Sequence, residues 1–268
     1  MTERFARSKK TKPAKDPEGR MSLAEHLLEL RKRLFISAIA IVVGMVAGFV
    51  LSNIIIDLMS APIREIAESK NASLNFDTVT SGFDLHMKVA LTVGLVISAP
   101  VWLYQIWAYL VPGLKRTEIT YVLGFLLSAI PLFFAGCAAG WFVMPHIVEL
   151  MAGFTPGDAS NLYQAGYYYD FILKLVLAVG IAFVLPVFLV LLNFVGVLSA
   201  RAIIKGWRIA LLVIMLFCAI ATPAADVISM FMLAVPMIVL YFAAYGVAFL
   251  RDRWRDKRAA AIDAEYRQ

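Results

Sequence analysis

LFISAIAIVVGMVAGFVL, residues Leu34–Leu51, runs without a single charge. A helix that crosses a bilayer needs about 20 mostly apolar residues, so the stretch reads as a membrane span. Five more uncharged stretches follow, at Val89–Leu110, Tyr121–Met144, Leu175–Leu198, Ile209–Ala225 and Val227–Leu250. The fifth is short: Arg208 and Asp226 bound it, and Pro223 interrupts its end. Such a span thins the bilayer locally or stands untilted. The whole composition agrees, with 61% of 268 residues hydrophobic, 16% charged and a mean hydropathy of +0.79. Water-soluble chains hold about 45–50% and about 25%. That balance excludes a soluble enzyme and a free nucleic-acid binder. The expected fold is all-α and integral to the membrane: six transmembrane helices in a cupped bundle, kinked at Pro131, Pro186 and Pro236.

Orientation follows from the basic residues. Residues 1–33, the Val111–Thr120 loop, the Ser199–Arg208 loop and the tail after Leu250 hold 21 of the 25 Lys and Arg. The intervening loops hold only Arg64 and Lys70, with Lys88 and Lys174 at helix ends. Positive charge stays inside, which places both termini in the cytoplasm and agrees with an even number of spans. The polar residues before Leu34 do not read as a cleavable signal peptide. The chain divides into a basic, disordered cytoplasmic extension (1–21), a membrane domain (22–250) and a charged cytoplasmic tail (251–268). Trp102, Tyr104, Trp107 and Tyr109 at one edge, and Tyr163, Tyr167, Tyr168 and Tyr169 at the other, read as interfacial aromatic belts. Lys88 lies four residues after Asp84, and Lys174 four after Asp170, so each pair is expected to close along one helix turn.

Chemistry-bearing motifs are missing. No GxxxxGK[ST] or GxGxxG occurs, which leaves nucleotide-driven transport unsupported. His26, His86 and His146 lie in separate segments without metal-ligand spacing, and no metal or cofactor is expected. No Asp, Glu, Lys, Arg or His occupies the middle of a span, where ion-coupled carriers keep such groups. Cys137 and Cys218 sit in apolar runs and read as free packing thiols. Gly44–Gly48 and Gly136–Gly140 are GxxxG patterns, suited to close helix contact either within this subunit or between subunits.

The informative residues are at the basic side. Ser22-Leu23-Ala24-Glu25 is a capping box, and Leu23, Leu27, Leu30 and Leu34 form one apolar face on the helix it starts. Glu29 stands among basic residues beside the bilayer. It is either an exposed i,i+4 partner of Arg33 or a receptor for a cationic ligand. Glu118, in the second-to-third-span loop, either favours the next helix dipole or serves the same ligand. Each carboxylate can take one guanidinium through two parallel hydrogen bonds, a geometry lysine cannot reproduce.

Over residues 22–250 the chain resembles the TatC family of twin-arginine protein translocase subunits. The resemblance rests on HLLELRKRL at His26–Leu34, SAP at Ser60–Pro62, Phe83, SAPVWLYQIWAYLVPGL at Ser98–Leu114, Glu118, and Thr222-Pro223 with Asp226. It implies a six-helix cupped receptor in the bacterial cytoplasmic membrane that binds signal peptides carrying two consecutive arginines. Folded proteins would then be exported with the proton motive force, in an oligomer with single-span TatA-like and TatB-like subunits. By position, the resemblance puts the twin arginines on Glu29 and Glu118, with Arg31, Arg33, Tyr109 and Leu114 in the same surface. Pro62, Phe83 and Asp226 take outer-cap and assembly positions. Three places depart from the family pattern. Val184 stands where relatives carry Glu or Gln, Met230 where a polar residue is common, and Ala224-Ala225 adds one residue before Asp226.

Overall fold

The structure, a computed structural model, describes residues 23–70, 73–110, 119–153, 162–222 and 227–266. Helix α1 (Leu23–Lys70) holds 48 residues without a break. At 1.5 Å per residue it is about 72 Å long, more than twice the hydrocarbon thickness of a bilayer. The apolar run at 34–51 is therefore the middle of a rod that stays helical beyond both membrane faces. Helices α4 (Ile119–Gly153), α5 (Ala165–Phe194) and α8 (Val227–Tyr266) are also long and apolar enough to span. They run through Pro131, Pro186 and Pro236 as single helices.

The sharp bend falls elsewhere. Helices α2 (Ser81–Ile97) and α3 (Ala99–Leu110) meet at 60° across Ser98 and are long and apolar enough to span only as a pair. Pro100 lies in the first turn of α3, where a missing N–H costs nothing, while its ring prevents α2 from continuing. Trp102 Nε1 bridges the break by donating to the Leu95 carbonyl at 2.9 Å. Helix α7 (Trp207–Ala221), preceded by the single-turn α6 (Ala200–Lys205), has 15 residues and a length of about 22 Å, less than the hydrocarbon core. The described residues thus hold four helices long and apolar enough to span, a bent pair that is so only when taken together, and one shorter apolar helix.

Two seams hold the bundle together, and glycine makes both. A Cβ on Gly48 would sit 2.5 Å from the Ala90 carbonyl oxygen of α2, and one on Gly136 would sit 2.8 Å from that of Val179 in α5. No side chain fits there, so α1 lies against α2 and α4 against α5 at backbone contact. Both GxxxG patterns are thus used inside the subunit. Cys137 and Cys218 are free and buried, as their apolar context suggests.

The all-helical expectation holds apart from one small addition, and two others need correction. Ser73–Asn75 (β1) and Leu162–Gln164 (β2) pair in parallel and tie two loops together at one end of the bundle. Asp170 does not close a turn with Lys174. It reaches across to α2, where Lys88 Nζ lies 2.9 Å from its Oδ1. An interhelical pair gains over an intrahelical one here because the α2–α5 contact brings the two side chains together already. The aromatic belts are also only partial. Trp107 and Tyr169 are buried, Trp102 packs edge-on against Phe133, and the Tyr168 hydroxyl donates to the Met59 carbonyl at 2.7 Å. Tyr104 and Tyr167 remain on the surface.

Candidate functional site

The basic end of the bundle is built from the first turns of α1 and the last turns of α3. Glu29 and Arg33 are one turn apart on α1. Arg33 turns two donors, Nε at 3.1 Å and Nη2 at 2.5 Å, onto the same Glu29 oxygen, Oε1. Its third donor, Nη1, lies 3.3 Å from Oε1 of Gln105, a buried residue of α3. The Arg33 carbonyl accepts from the Ser37 hydroxyl at 3.0 Å, which adds a bond to the same turn. Above this cluster the rings of His26 and Tyr109 stack in parallel, 4.5 Å apart. These contacts fix α1 against α3 and leave the Glu29 and Arg33 side chains 24% and 22% exposed, within reach of an approaching ligand.

Beneath it, Trp107 packs on Phe125 of α4 with ring centres 6.0 Å apart. Phe125 also lines an apolar cleft of about 430 Å³ between α4, α5 and α8, together with Pro186, Leu191, Phe194 and Leu240. A second polar knot lies against Phe194, one of the residues that line that cleft. Arg251 of α8 donates to the backbone carbonyls of Asn193 and Phe194, and its guanidinium lies over the Phe194 ring at 4.7 Å. Asp252 accepts from Asn193 Nδ2 at 3.1 Å and from the Ala200 N–H, at the start of α6, at 2.8 Å. Burial by itself would raise the Asp252 pKa. The hydrogen bonds from Ala200 and Asn193, with the charges of Arg255 and Arg251, outweigh it and hold the carboxyl below its ordinary range.

Residues 25–236 match the model of the family described as Sec-independent protein translocase protein (TatC). The chain belongs to the TatC family. It is 42% identical to a Sec-independent protein translocase protein TatC of Xylanimonas cellulosilytica, over 94% of this chain and 92% of that one. A relative of the same description from Rothia mucilaginosa is 39% identical over 92% and 85%. Among solved structures, a crystal structure of the twin-arginine translocase receptor TatC superposes with a TM-score of 0.69 at 32% identity, covering 84% of this chain and 98% of that one. The chain is therefore a multi-helix membrane component of the Sec-independent protein translocase, a system that works through several Tat subunits.

Of the TatC positions named from the sequence, Glu29, Arg33 and Tyr109 come together at the basic end, and Arg31 lies exposed on the same helix turn. Leu114, Glu118 and Asp226 lie outside the described residues. Pro62 and Phe83 sit far from this cluster. Pro62 is buried inside α1, 33 positions from Glu29 and so about 50 Å along the helix axis, and Phe83 is exposed in the first turn of α2. Val184 is buried beside Phe125 and Phe133 in the second apolar cluster, so its departure from a polar residue is absorbed as core. Sequence reasoning gave no role to Gln105 or to the Asn193–Arg251–Asp252 knot. For Gln105 a signal existed, because it is the one amide in the otherwise apolar APVWLYQIWAYL helix.

Proposed function

We propose that this chain is the signal-peptide receptor of a twin-arginine translocase, with Glu29 and Glu118 each holding one arginine of the peptide. The observation that carries the reading is the Glu29 carboxylate itself. It already binds a guanidinium, that of Arg33, through two donors at a partly exposed rim. Arg31, Arg33, Tyr109 and Leu114 complete the recognition surface, while Pro62, Phe83 and Asp226 serve the opposite cap and assembly. If each Arg–carboxylate pair contributes roughly 1.5–3 kcal/mol, two of them discriminate by about 10²–10⁴ in affinity. Partial solvent exposure brings the value toward the lower end.

In this reading α7 is the sixth span, both termini face the cytoplasm, and the kinked bundle is cupped around the apolar cleft. The concentration of Lys and Arg at the ends that carry Glu29, Asn193 and Arg251 supports that orientation. The chain works in the bacterial cytoplasmic membrane as part of an oligomer with TatA-like and TatB-like subunits, and the proton motive force drives transport. Replacing Glu29 or Glu118 by Gln should lower export of twin-arginine substrates while the protein still reaches the membrane in normal amount. Undiminished export from the double Gln variant would overturn the assignment.

A further inference from the structure

We infer that Arg33 is a resident competitor for the Glu29 carboxylate, and that Gln105 is the acceptor that receives it when a ligand arginine takes its place. The inference rests on Glu29 being a ligand-arginine site, and deepens that reading by making recognition an exchange. Glu29 does not wait empty. Arg33 Nε and Nη2 both occupy Oε1, at 3.1 and 2.5 Å, and the pair is intrahelical, so a ligand guanidinium that forks onto both carboxylate oxygens must displace an arginine of the chain's own.

Gln105 makes the displacement affordable. Its Oε1 lies 3.3 Å from Arg33 Nη1, on a different helix, and its side chain is buried in an apolar stretch where an amide is otherwise unfavourable. The Glu29–Arg33 pair is complete without it. A guanidinium has five N–H donors in a rigid fork, so Arg33 can keep Gln105 while it releases Glu29. Being neutral, Gln105 accepts from Arg33 but does not rival an acid for the incoming cation. The exchange trades one charged pair for another of the same kind. A lysine ligand brings a compact ammonium that cannot fork onto both carboxylate oxygens, and so loses to Arg33 on Oε1. Gln105 is thus a positioning residue, acting through Arg33 rather than on the peptide.

The test is a cycle of four full-length proteins in nanodiscs: wild type, Arg33→Met, Gln105→Met and the double variant. Each is titrated with a labelled twin-arginine peptide. Arg33→Met should bind tighter by about three- to tenfold, since the competitor is gone. Gln105→Met should bind about threefold weaker, and its effect should vanish in the Arg33→Met background. Arg33→Lys keeps the charge but not the fork. It should also bind tighter than wild type, whereas a simple net-charge effect would leave it unchanged. Should Gln105→Met not fold, Gln105→Asn repeats the test with an amide too short to reach Arg33. Equal or weaker binding by Arg33→Met, or a Gln105 effect that persists without Arg33, overturns the exchange. Glu29→Gln separates the two levels: lost affinity in that variant with no gain in Arg33→Met removes only the exchange, while undiminished affinity removes the Glu29 site as well.

Discussion

Arg33 and Arg251 have the same side-chain exposure, 22%, and each sits where a polar segment meets the apolar bundle. Their partners differ. Arg33 is held by side chains, the Glu29 carboxylate and the Gln105 amide, which can turn away. Arg251 is held by the backbone carbonyls of Asn193 and Phe194 at the end of α5, and it covers the Phe194 ring. Those carbonyls belong to the last turn of a helix, where the i+4 N–H bonds run out, and Arg251 adds its donors there beside the Gly196 N–H, which reaches the Asn193 carbonyl at 2.9 Å. One arginine is therefore exchangeable and the other structural. Burial alone would not separate them; the kind of acceptor does.

The contrast should be visible in the stability of variants. Arg251→Met would remove two guanidinium donors from the Asn193 and Phe194 carbonyls, with the Gly196 N–H still on the Asn193 oxygen, and leave Asp252 with one charge fewer to balance it. A loss of about 2–4 kcal/mol is expected, read as a lower midpoint of thermal unfolding in detergent. Glu29→Gln should do the reverse, costing about ten- to a hundredfold in twin-arginine peptide affinity while the unfolding midpoint hardly moves.

Asp252→Asn comes next, at about 1–2 kcal/mol, because the Ala200 N–H keeps an acceptor but loses a charged one. Its pH dependence sharpens the point. A carboxyl held below its ordinary value near 3.8 contributes its stabilisation fully above that pH, and loses it as pH falls through the lowered folded value. Acid unfolding of the wild type should thus include a component below about pH 4 that is missing from Asp252→Asn. The smallest effect is expected for Arg33→Met, about 1 kcal/mol or less in thermal stability, since it removes a partly exposed i,i+4 pair together with the long Gln105 contact at 3.3 Å. A large stability loss there would erase the distinction between the two arginines.

Much of the fold was legible from uncharged run length, because the bilayer sets how many apolar residues a span must have. The glycine pairs were legible too, though not that Gly48 and Gly136 meet α2 and α5 of the same chain, since a GxxxG pattern serves either kind of contact. What failed to show was everything decided by a neighbouring helix. Asp170 four residues before Lys174 suggests a helical turn, yet its partner Lys88 is 82 positions away. Trp107 and Tyr169 look like interfacial aromatics until α4 and the cap residues cover them. The 60° bend at Ser98 hid inside an uninterrupted apolar run, although Pro100 stood there to mark it. At the site, Glu29 and Arg33 were readable as a pair from their spacing. Gln105 was not, because 72 positions separate it from Arg33.

Binding of a twin-arginine signal peptide to the purified protein in nanodiscs, against a twin-lysine control, bears most directly on the role of Glu29. A preference for arginine of at least about tenfold is expected, abolished in a protein carrying both Glu29→Gln and Glu118→Gln. Equal affinity for the two peptides, or a preference that survives both substitutions, would mean that these carboxylates do not read the arginines.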